Sequence, residues 1–260
     1  NGFSHQNPGF IDGVLQRQGS FTNVYFPADA NTALVVMRHM LVSKKEINVL
    51  VCGKRPLPCW RTVKQAEEDL REGVNIWEFA SEENPHMVFS AVGDYLTEET
   101  LAALNVIHEE IPNMRLRFVN ITSLSAIGMG DVDHQVLRHD MDYYFTPDKP
   151  VLINFHGYPQ TIKQILFDYG LGGDRVAVHG YQESGSTTTP FDMMVRNKVD
   201  RFSLAIEAFV VAENQGLITV SQKNKLTKKY EAKLADHRAY IVEHGTDPEE
   251  ITDWVWQQRS

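Results

Sequence analysis

Apolar positions along the chain follow two rhythms, short continuous runs and spaced positions of helical period, and the two alternate from end to end. Residues 9–18 read as a short helix after a loop over residues 1–8. Asn23-Val24-Tyr25-Phe26 reads as a strand closed by Pro27. Asp29 stands where an N-cap belongs, ahead of Leu34, Val35, Met37 and Leu41, and this helix is expected to end near Ser43. The run Ile47-Asn48-Val49-Leu50-Val51-Cys52, followed by Gly53, predicts a buried parallel strand that opens into a loop. Residues 55–58 are proline-rich and irregular, a charged helix covers 63–71 up to Gly73, and Ile76-Trp77-Glu78-Phe79 reads as a strand.

Polar, breaker-rich residues 81–85 suggest a domain boundary, and a second strand–helix series begins after them. Strands are expected at 87–93, 115–120, 151–155 and 175–179. Helices are expected from Thr97 to about residue 110, with Glu98 and Glu99 in the first turn, and over 134–144 and 160–168. The tail is helical throughout, over 200–213, 221–243 and 247–256. Strands alternating with helices predict an α/β fold with a mostly parallel sheet and helices on both faces.

Composition narrows what such a fold does. A chain of 260 residues with 42% hydrophobic content supplies one large core or two modest ones. No apolar run approaches the roughly 18 residues of a membrane span, so no membrane partner is expected. A formal charge of −9 argues against nucleic acid as a partner, and a site for an anion must gather its own positive charge. Cys52 and Cys59 read as reduced thiols of a cytoplasmic protein, because two cysteines without paired histidines make a poor zinc site. The start at Asn1, with neither an initiator Met nor a signal core, suggests a piece of a longer protein.

Few residues stand out as candidates for chemistry. His5 lies in a polar loop and suits proton transfer, with a surface histidine as the plainer alternative. Lys54 follows a parallel strand and Gly53, where α/β sheets place ligands, and could hold a phosphate as a point charge. A solvated loop lysine is the alternative. His156-Gly157-Tyr158-Pro159 ends another strand and reads first as a tight turn with a packed tyrosine. In Gly185-Ser186-Thr187-Thr188-Thr189-Pro190, Thr189 suits an N-cap and Pro190 the first helical position, and the exposed amides could also meet an anion. Lys225, Lys229 and Lys233 form a basic stripe beside Leu226, Tyr230 and Leu234, the ordinary edge of a packed helix. The chain carries no GxSxG, P-loop or HExxH motif, which removes support for serine hydrolases, P-loop nucleotidases and zincins.

Several long stretches, in order, resemble the phosphoketolase family: NGFSHQNPGFID from Asn1, YFPADAN from Tyr25, CGKRP from Cys52, HGYP from His156 and GYQESGSTTTPFDM from Gly180. The resemblance implies the second half of a thiamine-enzyme pyrimidine-binding domain over residues 1–60, a linker over 61–85, and a transketolase-like C-terminal domain over 86–260. It implies thiamine diphosphate and Mg2+ as cofactors of the full-length enzyme, held mostly by residues outside this chain, with none expected on the chain alone. It implies cleavage of xylulose 5-phosphate, and of fructose 6-phosphate, by inorganic phosphate to acetyl phosphate and a shorter aldose phosphate, in a homodimer or larger homo-oligomer. By position, His5 resembles a catalytic histidine contacting the sugar, Asn1 an amide at the substrate, and Lys54 a lysine gripping the sugar phosphate. The alternatives are transketolase-like transfer of a two-carbon unit and a non-catalytic module for subunit contacts.

Overall fold

The computed structural model describes residues 8–16, 21–127, 136, 140–182 and 187–257. Helix α1 (Gly9–Leu15) leads to strand β1 (Thr22–Tyr25), helix α2 (Ala30–Val42) and strand β2 (Ile47–Leu50). β1 and β2 pair in parallel as a two-stranded sheet. Helix α3 (Val63–Glu72) follows, then β3 (Val74–Ile76), β4 (Met87–Val92), α4 (Asp94–Glu110), β5 (Leu116–Ile121), α5 (Asp140–Phe145), β6 (Val151–Phe155), α6 (Pro159–Tyr169) and β7 (Val176–His179). The chain closes with α7 (Pro190–Arg196), α8 (Arg201–Asn214), the long α9 (Val220–His244) and α10 (Glu249–Thr252).

β3 to β7 form one sheet in the order β3-β5-β4-β6-β7, parallel except for β3, which runs antiparallel along β5. The period of two along β4 builds two cores. Phe89 and Ala91 face one with Phe118, Leu152 and the inner faces of α4 and α8, where Leu101, Leu104, Leu204 and Phe209 are fully buried. Val88 and Val92 face the other with Val119, Ile153 and residues of α1, α5 and α6. A parallel sheet covered on both faces needs near-continuous apolar strands, and all six residues of β4 and five of β6 are buried. No helix among the described residues is long and apolar enough to cross a membrane.

Local chemistry sets the helix ends. The Asp29 carboxylate accepts from Thr32 N at the start of α2, as its position predicts. Thr62 with Gln65 and Thr219 with Gln222 make capping boxes at α3 and α9, and Gly73 in the left-handed region stops α3. The smaller sheet is stitched to the larger through backbone: Phe26 N donates to Thr122 O at 2.7 Å, and Leu124 N donates to Val24 O at 3.1 Å.

Several expectations are corrected. α4 starts at Asp94, three residues before Thr97, because Gly93 is the N-cap with φ 109, and Glu98 and Glu99 lie buried in the second turn. The strand expected over 76–79 ends at Ile76 and gives way to a 3-10 turn over Glu78–Ala80, which follows the fully buried Trp77. β2 is parallel but not buried: Ile47 is 53% exposed and Asn48 to Leu50 are half-buried, in contrast to its partner β1, whose four residues are all buried. The last helix is one turn, Glu249–Thr252, rather than 247–256. Of the helix expected over 134–144, Asp140 onward is helical, and most of the remainder lies outside the described residues. The segment 61–85, expected to be a linker, carries α3, packed on α2, and β3, paired with β5.

Candidate functional site

The C-terminal ends of β2, β4 and β6 deliver three loops to one cavity of about 640 Å3. This is where open α/β sheets bind ligands. Lys54 and Arg55 come from the loop after β2, Tyr95 from the start of α4, His156 from the end of β6, and Pro8 and Phe10 also line the cavity. Lys54, Arg55 and Phe10 are exposed there, so two cations stand at the rim of a cleft with an apolar side.

The first turn of α4 organises the lysine loop. Gly53 N donates to Asp94 Oδ2, while Asp94 Oδ1 accepts from Tyr95 N at 2.8 Å. The Tyr95 hydroxyl accepts from Lys54 N at 2.8 Å and from Arg55 N at 3.1 Å. The Arg55 guanidinium lies 4.9 Å from the centre of the Tyr95 ring, in cation–π range. A Cβ at residue 53 would sit 2.4 Å from Tyr95 Cζ, so any larger residue there would have to displace the ring.

His156 packs behind Tyr95, with ring centres 6.0 Å apart. Its Nδ1 is buried, has no hydrogen-bond partner and stands 3.9 Å from Asp94 Oδ1. Burial holds the imidazole below its usual pKa, against the pull of the Asp94 charge, so the ring is neutral at pH 7. The close packing extends to Gly180, where a Cβ would come 2.4 Å from Gly157 O. The Cys52 thiol is pushed up by burial and then by the Asp94 carboxylate, which keeps it protonated and makes it a poor nucleophile. The cavity therefore offers positive charge, a neutral imidazole and a tyrosine, a set suited to binding an anion.

Of the residues singled out from sequence, Lys54 lines this cavity, whereas His5 and Asn1 lie outside the described residues. The threonine block is a cap first: Thr189 accepts from Asp192 N at α7, and the Thr188 hydroxyl donates to Asp192 Oδ2 at 2.6 Å. Thr188 and Pro190 nonetheless line the cavity. The basic stripe of α9 is structural, with Lys229 paired to Glu110 and Lys233 lying over the Phe202 and Tyr230 rings. Sequence reasoning missed Asp94 and Tyr95 and undervalued His156. The signal was available, since each directly follows a strand end: Gly93-Asp94-Tyr95 after β4 and His156-Gly157 after β6.

Residues 54–256 match the family model of the XFP C-terminal domain, and residues 1–43 match that of D-xylulose 5-phosphate/D-fructose 6-phosphate phosphoketolase. The chain belongs to the phosphoketolase family. It is 40% identical to a probable phosphoketolase of Mesorhizobium japonicum over 99% of its length, and 43% identical to probable phosphoketolase 2 of Rhizobium meliloti over 98%. It spans about a third of those relatives, 32% and 33% of their lengths. Among solved structures, a Pichia stipitis transketolase mutant in complex with xylulose 5-phosphate aligns with a TM-score of 0.62 at 15% identity, over 84% of this chain and 30% of the other. That likeness places the fold among transketolase-like α/β domains.

Proposed function

We propose that the chain is the C-terminal part of an enzyme that cleaves xylulose 5-phosphate, and fructose 6-phosphate, with inorganic phosphate to give acetyl phosphate and a shorter aldose phosphate. Family membership supports the reaction, and the observation that carries this chain's share of it is Lys54 at the mouth of the strand-end cavity. There its ammonium binds the phosphate of the sugar as a point charge, with Arg55 beside it adding to the local positive field of a chain that is acidic as a whole. His5 is the proton donor or acceptor at the reacting carbons and Asn1 an amide ligand to the sugar. In support, Pro8, three residues on from His5 in sequence, lines the same cavity as Lys54.

The full-length enzyme uses thiamine diphosphate and Mg2+ in this reading, and works as a homodimer or larger homo-oligomer in the cytoplasm. Among the described residues no group of three His, Cys, Asp or Glu side chains is placed to hold a metal ion, so they do not fit that site. The cofactor would stabilise the carbanion left by C–C cleavage, and this chain's residues bind and orient the substrate around it. The division into residues 1–60 as part of the pyrimidine-binding domain and residues 86–260 as the C-terminal domain is supported by the two separate sheets, with β3 of the intervening residues 61–85 paired into the larger one.

The test is the product. Full-length enzyme given xylulose 5-phosphate and phosphate, with no aldose acceptor, is expected to form acetyl phosphate, read as its hydroxamate. No acetyl phosphate, with a longer ketose on adding an aldose, would replace this reading with two-carbon transfer. His5→Ala is expected to lower kcat by roughly 100-fold or more. Lys54→Ala should mainly raise the sugar-phosphate KM. The 260-residue chain alone should show no thiamine diphosphate binding by calorimetry.

A further inference from the structure

We propose that Tyr95 is a positioning residue for the sugar phosphate: with Asp94 it fixes the backbone of residues 53–55, so that the Lys54 ammonium meets the phosphate without the loop having to order on binding. The inference rests on Lys54 as the phosphate-holding group. Residues 51–62 form no helix or strand, so the ladder of β1 and β2 cannot hold the lysine in place beyond the Val51 N–H, which reaches Tyr25 O at 2.9 Å. Instead, three successive amides find acceptors on the first turn of α4: Gly53 on the Asp94 carboxylate, and Lys54 and Arg55 on the Tyr95 hydroxyl.

A phenolic oxygen has two lone pairs, and both are spent on this loop. The ring is enclosed as well. Gly53 leaves room for it, Arg55 lies across its face, and His156 backs it. The contact is also long-range, joining the end of β2 in the small sheet to the end of β4 in the large one, across 41 residues of chain between Lys54 and Tyr95. A lysine that binds as a point charge on a flexible stem gains affinity when its backbone is fixed in advance, because the ordering cost is not then drawn from binding.

Tyr95→Phe removes only the hydroxyl and keeps the ring. In the full-length enzyme it is expected to raise the KM for xylulose 5-phosphate roughly 5- to 20-fold, the loss corresponding to one or two hydrogen bonds. Its kcat should fall less than about 3-fold, a split characteristic of lost binding rather than lost chemistry. Lys54→Ala raises the same KM, and the double variant should be no worse than Lys54→Ala alone, since both act through one ammonium. Amide exchange over residues 53–55 should quicken at least about 10-fold in Tyr95→Phe while β4 stays unchanged.

A raised KM in Lys54→Ala with a wild-type KM in Tyr95→Phe would overturn the inference and leave Lys54 in its role. Additive effects in the double variant would overturn it too, by showing that Tyr95 acts separately. A wild-type KM in Lys54→Ala would remove the phosphate role of Lys54, and the inference with it. The exchange measurement would then still report whether the hydroxyl holds the loop, which keeps the two failures distinct.

Discussion

At the scale of single residues, the acidic groups of α4 divide by what surrounds them. Asp94 spends its carboxylate on two backbone amides. Glu99 is buried against Arg201, which returns two side-chain bonds at 3.0 and 2.7 Å and a backbone bond at 2.8 Å. Glu98 is buried between these two acids, and its carboxyl is pushed up to about 7, first by burial and then by the Glu99 charge, with Arg201 and Arg55 opposing. The consequence for pH follows from linkage. Between the ordinary carboxylate range and about pH 7 the folded chain holds a proton at Glu98 that the unfolded chain has released, so folding stability falls as pH rises through that window. The loss is on the order of 3 kcal/mol by pH 8. Glu98→Gln has no proton to lose. Urea unfolding of the variant at pH 4.5 and at pH 8 should show it gaining on the parent at the higher pH, and an equal difference at both would mean that Glu98 ionises normally.

At the scale of elements, the helices and central strands were legible because their signals are local. Short, nearly continuous apolar runs marked β4 and β6, and Asp29, Thr189 with Pro190, and Gly73 marked helix ends by their own chemistry. What was not legible depended on partners far away. β2 reads as a buried strand from composition, but burial depends on what covers it, and α4 begins early because Gly93 takes a φ of 109 beside His156. The site divides in the same way. Lys54 was visible as a cation after a strand and a glycine, whereas Tyr95 matters through a bond made by its hydroxyl to a loop 41 residues away.

Asp29 shows how much one cap can hold. Its Oδ1 takes Thr32 N and the Thr32 hydroxyl, and its Oδ2 takes Trp60 N at 2.7 Å and Arg61 N at 2.8 Å. The carboxylate thus starts α2 and also anchors the approach to α3. Asp29→Ala loses the cap, worth about 1 kcal/mol, and strands two part-buried amides at about 1 kcal/mol or more each. The expected cost is about 3 kcal/mol by chemical denaturation, with Asp29→Asn intermediate. A cost under about 1 kcal/mol would show that water replaces the carboxylate at residues 60 and 61.

At the scale of the whole molecule, stability is unevenly distributed, and β2 with the outer face of α2 is its weaker end. The large sheet is covered on both faces, and the Arg201–Glu99 pair, bonded also to Ile251 O, ties α4, α8 and α10 into one body. Breaking such a buried pair typically costs about 3–5 kcal/mol, so that body should open only with global unfolding. Within the small sheet β1 is buried in the second core, but β2 and the outer face of α2 are not. On α2, Leu34 is 60% exposed and Leu41 is 78% exposed, and the exposed Ile47 opens β2. Strand pairing without apolar cover contributes little, because most of the stabilisation comes from area removed from water. In the 260-residue chain alone, hydrogen exchange should therefore release β2 amides orders of magnitude sooner than those of β4 and β6. In a protein of the relatives' full length the difference should narrow if the added residues cover α2 and β2. If β2 amides in the chain alone were as protected as those of β4, pairing with the buried β1 would be enough to hold β2, and exposure would be a poor guide to local stability here.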